Sequence, residues 1–234
     1  MAISSRTRLV ALLGHPVAHS LSPRMQNAAF AARGLDWAYV ALDVPPERLE
    51  EAVRGLAALG FAGANVTAPH KLAVARLDVV ETDAPSVNIL RVLDLRIEGW
   101  TSDAAIIDEL DVNRPVILGN GGSATAFAHA FGKRKLDVRQ FSRRGEWPPD
   151  VRDADVVINA TSARDEVLVE LREDQTLVEL PYPDSATAMA ARANGASVHD
   201  GLDVLVAQGA ASFELWTGVP APVDVMRNAV RSAP

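Results

Sequence analysis

At 234 residues the chain can bury one large core or two modest ones, and 48% hydrophobic against 23% charged residues, with Gly 15 and Pro 14, excludes a disordered, collagenous or coiled-coil chain. A net charge of −7 argues against a diffuse nucleic-acid-binding surface and leaves room for a local basic spot sized for one phosphate, so the expected partner is a small molecule. With no cysteine, disulfides, thiolate metal sites and cysteine nucleophiles are excluded and the cytoplasm is the expected compartment. The first apolar run is too short for a signal peptide, and no run of about 18 apolar residues suggests a membrane span.

In chain order, residues 9–14 read as a buried strand running into a loop at His15-Pro16. A helix over 24–33 follows, with Ser22 as its cap, Pro23 at its first position and Gly34 in the left-handed conformation that ends it. Residues 37–43 alternate as a strand, 45–59 carry apolar residues at helical spacing, and 61–66 form another strand. Residues 89–95 and 96–100 suit a hairpin, and 103–110 a helix. A second series starts at Pro115: strand 116–118, a glycine-rich turn, helix 124–131, then strands 138–141, 156–159 and 177–180. Helices over 201–216 and 223–231 close the chain. This alternation predicts a two-domain α/β fold with a mostly parallel sheet.

The chemistry-bearing residues cluster at strand-to-helix junctions. Gly119-Asn120-Gly121-Gly122-Ser123-Ala124 has the G-x-G-x-x-A spacing in which small residues bring a pyrophosphate to the amides of a helix N-terminus; the same spelling also makes a tight turn without a ligand. About twenty residues on, where an NAD site carries an acid for the ribose, stand Ser142, Arg143 and Arg144. Guanidinium forks fit a phosphate and point to NADP; two solvated surface arginines are the plainer reading. Asn65-Val66-Thr67-Ala68-Pro69-His70-Lys71 displays polar groups at a strand end, where Lys71 is either a functional ammonium or a surface charge, and Asn65 and Thr67 are either ligand contacts or cap and turn residues. Ser20 and Ser22 offer two hydroxyls for a carboxylate, with capping the alternative for Ser22. His15 and His19 lack a completing carboxylate, so no metal is expected. Gln208 shares a helix face with Leu205 and Ser212, which suits either a ligand contact or a satisfied polar residue at a domain seam.

Taken in order, His19-Ser20-Leu21-Ser22-Pro23, the segment from Asn65 to Lys71, Val87-Asn88, Ser102-Asp103, the glycine turn, Asn159-Ala160-Thr161, Asp200-Gly201-Leu202 and Phe213-Glu214-Leu215-Trp216 resemble the shikimate dehydrogenase family. The resemblance implies a substrate-binding catalytic domain over 1–102, completed by C-terminal helices over 201–234, facing across a cleft a compact Rossmann-like NADP-binding domain over 103–200. The implied reaction is the reversible NADPH-dependent reduction of 3-dehydroshikimate to shikimate, a step of aromatic amino acid and chorismate biosynthesis. Carried over by position, Lys71 and Asp103 form the catalytic pair, Ser20 and Ser22 hold the carboxylate, and Thr67, Lys71, Asn88, Asp103, Tyr182 and Gln208 surround the ring. Gly119, Asn120, Gly121, Gly122, Ser123, Ser142, Arg143 and Arg144 would hold the cofactor, with Leu180 and Gly201 at its nicotinamide. A homodimer is the expected assembly.

The chain departs from the family pattern at several points. Ile89 stands where a Thr is usual, Thr101-Ser102-Asp103-Ala104 replaces Asn-Thr-Asp-Gly, and Ser142-Arg143-Arg144 replaces Asn-Arg-Thr. Asp203 and Val204 replace Gly and Met, and the helix that usually follows the arginines gives way to Gly145-Glu146-Trp147-Pro148-Pro149-Asp150. Two alternatives follow: a dehydrogenase for a related cyclohexene acid such as quinate, or a paralogue that binds shikimate without turnover.

Overall fold

The computed structural model describes residues 3–232. The apolar run after the N-terminus forms β1 (Arg8–Gly14), followed by α1 (Ser22–Ala32) and β2 (Trp37–Asp43). A short 3₁₀ turn, Pro46–Arg48, leads into α2 (Leu49–Ala58), whose Leu49, Val53 and Leu56 form one buried stripe. Then come β3 (Gly63–Val66), a single helical turn α3 (Lys71–Val74), the two-residue β4 (Val80–Glu81), and the antiparallel pair β5 (Ile89–Leu93) and β6 (Arg96–Trp100). The helix expected over 103–110 is a 3₁₀ segment, Ala105–Glu109.

The second series runs β7 (Pro115–Leu118), α4 (Gly122–Lys133), β8 (Arg139–Phe141), β9 (Val156–Asn159), β10 (Thr176–Glu179), α5 (Ala186–Ala193), β11 (Ser197–His199), α6 (Gly201–Thr217) and α7 (Val223–Arg231). Ser22 proves to lie inside α1 rather than to cap it; the hydroxyl that accepts an exposed amide there is that of Ser20, 3.2 Å from the Ser22 N–H. Gly34 has φ +65° and takes the left-handed conformation that stops α1.

Two compact units divide the chain, Met1–Ser102 with Val206–Pro234, and Asp103–Leu205. In the first, six strands run β2-β1-β3-β5-β6-β4, with β1 parallel to both β2 and β3, and β5 antiparallel to β3 and β6. Side chains of β1 alternate across the sheet. Ala11 and Leu13 join the cluster that holds Leu49, Val53 and Leu56 of α2, while Val10 and Leu12 are buried on the other face, so both faces are covered. Among the aromatic residues, Phe30 of α1 stacks on Phe213 of α6 at 5.4 Å, and α7 packs along α1.

In the second unit all five strands are parallel, in the order β11-β10-β9-β7-β8. Numbered from β7, that is 2-1-3-4-5, a doubly wound arrangement whose order reverses between β7 and β9. Only α4 and α5 serve as helical crossovers; residues 142–155 and 160–175 connect their strands without a helix. Side chains from those two connections, Val151, Ala154, Val169 and Leu171, bury themselves with Val116, Leu118, Ala188 and Ala191 and close the sheet face. No helix among the described residues is long and apolar enough to cross a membrane.

Candidate active site

Strand direction decides which loops of the first unit meet. Parallel β1 and β3 end at the same edge, antiparallel β5 starts there, and β6 returns to it. Residues following β1 (Ser20, Ser22), following β3 (Thr67, Lys71), preceding β5 (Asn88) and following β6 (Thr101, Ser102) are therefore gathered by topology. Backbone bonds lock the loops together: the Thr67 amide donates to the Leu13 carbonyl at 2.9 Å, His15 to Ala68 at 3.1 Å, Val87 to Lys71 at 3.0 Å and Asn88 to Trp100 at 3.0 Å. His70 is buried and its Nε2 donates to the Val44 carbonyl at 2.7 Å, so it braces the loop that carries Lys71.

A side-chain network sets this edge against α6. Asn88 is buried; its Oδ1 accepts from the Ser102 amide at 2.7 Å, and its Nδ2 donates to Ser102 Oγ at 3.1 Å and to Gln208 Oε1 at 3.2 Å. That use of the Gln208 oxygen turns its amide nitrogen into the end that donates onward. Asn65 belongs to the scaffold instead: it accepts from Tyr39 Oη at 2.9 Å and donates to the Asn88 carbonyl and to Ser212 Oγ at 3.0 and 2.8 Å. Ser212 in turn donates to the Gln208 carbonyl at 2.9 Å, so Gln208 and Ser212 do share one face of α6. Thr67 and Lys71 are half-buried at the same edge. Together they offer hydroxyl, amide and ammonium groups to a polar ring-sized molecule.

In the second unit the strand ends of β7, β8 and β9 surround a cavity of about 600 Å³, within the usual range for small-molecule sites. Gly119, Asn120, Gly121, Ser142, Arg143 and Arg144 line it, joined by residues 160–163 and by Trp147, Glu166 and Leu168. The position is the switch point of the sheet, where open α/β sheets bind ligands. Gly119 has φ +117° and its absent Cβ would lie 2.8 Å from the Ala160 carbonyl oxygen, so only glycine fits the crossing of these two loops. Its amide donates to Phe141 at 2.8 Å and its carbonyl accepts from Gln140 Nε2 at 2.7 Å, which fixes the turn. Gly122 and Ser123 form the first turn of α4, whose leading amides and positive dipole end favour an anion.

Asp103 is buried in the second unit, and Tyr182 is half-buried in the loop after β10. Leu180 and Gly201 meet: a Cβ on Gly201 would lie 2.3 and 2.7 Å from the carbonyl oxygens of Pro181 and Leu180. Glycine is required there by the close approach of the chain itself. Asp203 lies in the first turn of α6.

Three residues of this unit escaped the sequence reading. Trp147 and Glu166 line the cavity, and Glu179 is buried at the end of β10, its two carboxylate oxygens accepting from Asn159 Nδ2 at 2.9 and 3.1 Å. Burial pushes the Glu179 carboxyl up to about 7, against the opposing pull of its bonds to Asn159 and Ser185. Asn159 in turn accepts from the amide and hydroxyl of Thr161 at 3.2 and 2.8 Å, so the acid underpins the loop that forms one cavity wall. Glu166 and Trp147 sit in helix-free connections and Glu179 ends a strand, and none of the three belongs to a motif that a sequence could announce.

Comparison with known proteins agrees with this architecture. A family model described as the shikimate dehydrogenase substrate binding domain matches residues 12–89, and one described as the shikimate 5′-dehydrogenase C-terminal domain matches residues 201–231. A protein of Anaeromyxobacter dehalogenans named shikimate dehydrogenase (NADP(+)) is 40% identical over 278 residues, with 98% of each chain covered. The solved shikimate dehydrogenase of Aquifex aeolicus gives a TM-score of 0.89 at 28% identity, covering 99% of this chain and 100% of that one. The Thermus thermophilus structure, described as a complex with NADP(H) and shikimate, gives 0.84 at 30% identity over 96% and 99%. The fold and its glycine turn define an α/β protein with a Rossmann-like unit. The chain belongs to the shikimate dehydrogenase family. Because the alignment of 278 residues exceeds the chain's 234, the Anaeromyxobacter relative carries internal segments that this chain lacks.

Proposed function

We propose that the chain is an NADP-dependent shikimate dehydrogenase, reducing 3-dehydroshikimate reversibly to shikimate. The observation that carries the reading is the gathering of Ser20, Ser22, Thr67, Lys71, Asn88 and Gln208 at one sheet edge, within a chain whose full length matches the family. Residues 1–102 with the C-terminal helices are the substrate-binding domain, and 103–200 the NADP-binding domain.

Ser20 and Ser22 bind the carboxylate through hydroxyl and amide donors, while Thr67, Asn88 and Gln208 take ring hydroxyls, with Asp103 and Tyr182 completing the set. Lys71 meets the oxygen of the reacting carbonyl with its ammonium, stabilises the alkoxide charge and delivers the proton; Asp103 is its acidic partner in proton handling. When bound, the dinucleotide supplies the hydride. The glycine turn from Gly119 to Ser123 cradles its pyrophosphate, Ser142, Arg143 and Arg144 take the 2′-phosphate, and Leu180 and Gly201 lie at the nicotinamide. A cytoplasmic homodimer accompanies this reading; sedimentation of the purified chain tests the assembly.

The test of function is absorbance at the reduced-nicotinamide band with shikimate and NADP, beside NAD and quinate controls. NADP reduction with shikimate is expected, and Lys71→Ala should lower it by about 10² to 10⁴ with the protein still folded and binding shikimate. Shikimate binding without turnover by the wild-type chain, with any cofactor, would replace this reading by the non-catalytic binder. Faster turnover of quinate would move it to the related dehydrogenase.

A further inference from the structure

We propose that Glu166 is a built-in competitor for the 2′-phosphate: its carboxylate occupies Arg143 until the phosphate displaces it, and it thereby sets how strongly the protein prefers NADP over NAD. The inference rests on the assignment of the second unit's cavity to NADP.

Arg143 and Glu166 both line the cavity and are in direct contact there, the guanidinium Nη2 donating to Glu166 Oε1. Trp147 supports the arginine from the side, its ring centroid 5.6 Å from the guanidinium carbon. Ser142, Arg143 and Arg144 are held in a closed turn, with the Gly145 amide donating to the Ser142 carbonyl at 2.9 Å and the Ser142 amide to the Glu146 carbonyl at 3.2 Å.

The acid is equally well placed. Thr187, fully buried on α5, accepts from the Leu168 amide at 3.0 Å and donates to the Glu166 carbonyl at 3.3 Å. On the other side, the Ala186 amide donates to the Arg164 carbonyl at 2.7 Å. The backbone is thus tied to the first turn of α5 on both sides of Glu166, and the carboxylate is carried to the arginine by an anchored segment.

A guanidinium fork uses the same N–H groups for a carboxylate and for a phosphate, so one must leave before the other binds. The side chains are 59% and 50% exposed, and a screened pair of this kind is weak enough for a dianionic phosphate to displace. NAD carries a hydroxyl at that position, makes no claim on Arg143 and leaves the pair intact. Glu166 therefore penalises NADP alone.

Dissociation constants for NADP and NAD, measured by calorimetry on the full chain, test this with Glu166→Gln, Arg143→Gln, the double variant, and Asp165→Asn as a control that removes the same charge one residue away. Glu166→Gln should tighten NADP about two- to fivefold and leave NAD unchanged. The gain should vanish in the Arg143→Gln background and be absent from Asp165→Asn. If Glu166→Gln leaves NADP unchanged, tightens both cofactors alike, or is matched by Asp165→Asn while Arg143→Gln still weakens NADP, the competitor role is overturned and the NADP site stands. If wild type shows no preference for NADP and Arg143→Gln alters neither cofactor, the assignment of the cavity fails and the inference falls with it.

Discussion

The two units solve the same problem with unequal amounts of scaffold. In the first, helix α2 covers a sheet face, and its Leu56 is 2% exposed; in the second, the corresponding covering is shared by α5 and two connections without helices, and Leu171 of one connection is also 2% exposed. What a parallel sheet needs on its face is apolar area in the right place, and a helix is only the commonest way to deliver it. Strand ends cannot be economised in the same way, because the cavity of the second unit is made from the ends of β7, β8 and β9. In this chain two of the connections between the second unit's strands carry no helix, while the strand order keeps a switch point.

Leu56 and Leu171 make the comparison breakable, since they are the same residue at the same burial on a helix and on a loop. If the loops pack as a true core, Leu56→Ala and Leu171→Ala should each cost about 2–5 kcal/mol. Hydrogen exchange read separately over residues 103–205 and over the first unit would locate each loss. A Leu171→Ala cost below about 1 kcal/mol would mean that the connection collapses around the deletion and the second unit's core is softer than its burial implies.

A smaller effect separates the units by pH. Glu179 has its carboxyl pushed up to about 7 by burial, against an ordinary value of 4.5. Between those values the folded chain holds a proton that the unfolded chain has released, so stability falls as pH rises through that window and levels off above it. The ionised form at pH 8 costs on the order of 3 kcal/mol. Glu179→Gln keeps an acceptor for Asn159 Nδ2 and should flatten the difference, with Tm close to wild type at pH 5 and higher at pH 8. An equal Tm difference at both pH values would show that the acid is ionised throughout.

Much of this was legible from residues. Strands β2 and β9 and helix α7 fall where alternation and spacing put them, because each has a contiguous apolar pattern that survives without knowledge of its neighbours. The edge strand β11, Ser197–His199, is short and polar, and β4 is two residues long, so neither has a period to detect. Helix α5 hides in Ala-Thr-Ala-Met-Ala-Ala-Arg-Ala, where small residues bury against the sheet without an apolar stripe of large ones. Residues named by a motif at a strand end, such as Thr67, Asn88 and Gly119, do lie at strand ends in the fold. For Asn65 the sequence leaves a ligand contact and a structural role open, and the structure makes it a brace whose partners Tyr39 and Ser212 lie 26 and 147 residues away in sequence, too far for a local pattern to decide.

That brace gives the smallest predicted effect and the last contrast between the units. Ser212 is fully buried and joins Asn65 to the Gln208 carbonyl, yet Asn65 Nδ2 also donates to the Asn88 carbonyl, so its loss leaves the amide still bonded. Ser212→Ala should therefore cost only about 1 kcal/mol in urea unfolding, the net worth of a hydrogen bond whose partner finds another. In the second unit, the Gly119 carbonyl at the glycine turn accepts from the Gln140 side chain at 2.7 Å. Gln140→Leu should accordingly weaken NADP binding while Ser212→Ala leaves shikimate binding within about twofold, a difference of the size one unreplaced hydrogen bond makes. Equal losses in both would show that the first unit's edge is no better buttressed than the second's, and that connections without helices hold their strand ends as firmly as the first unit's loops do.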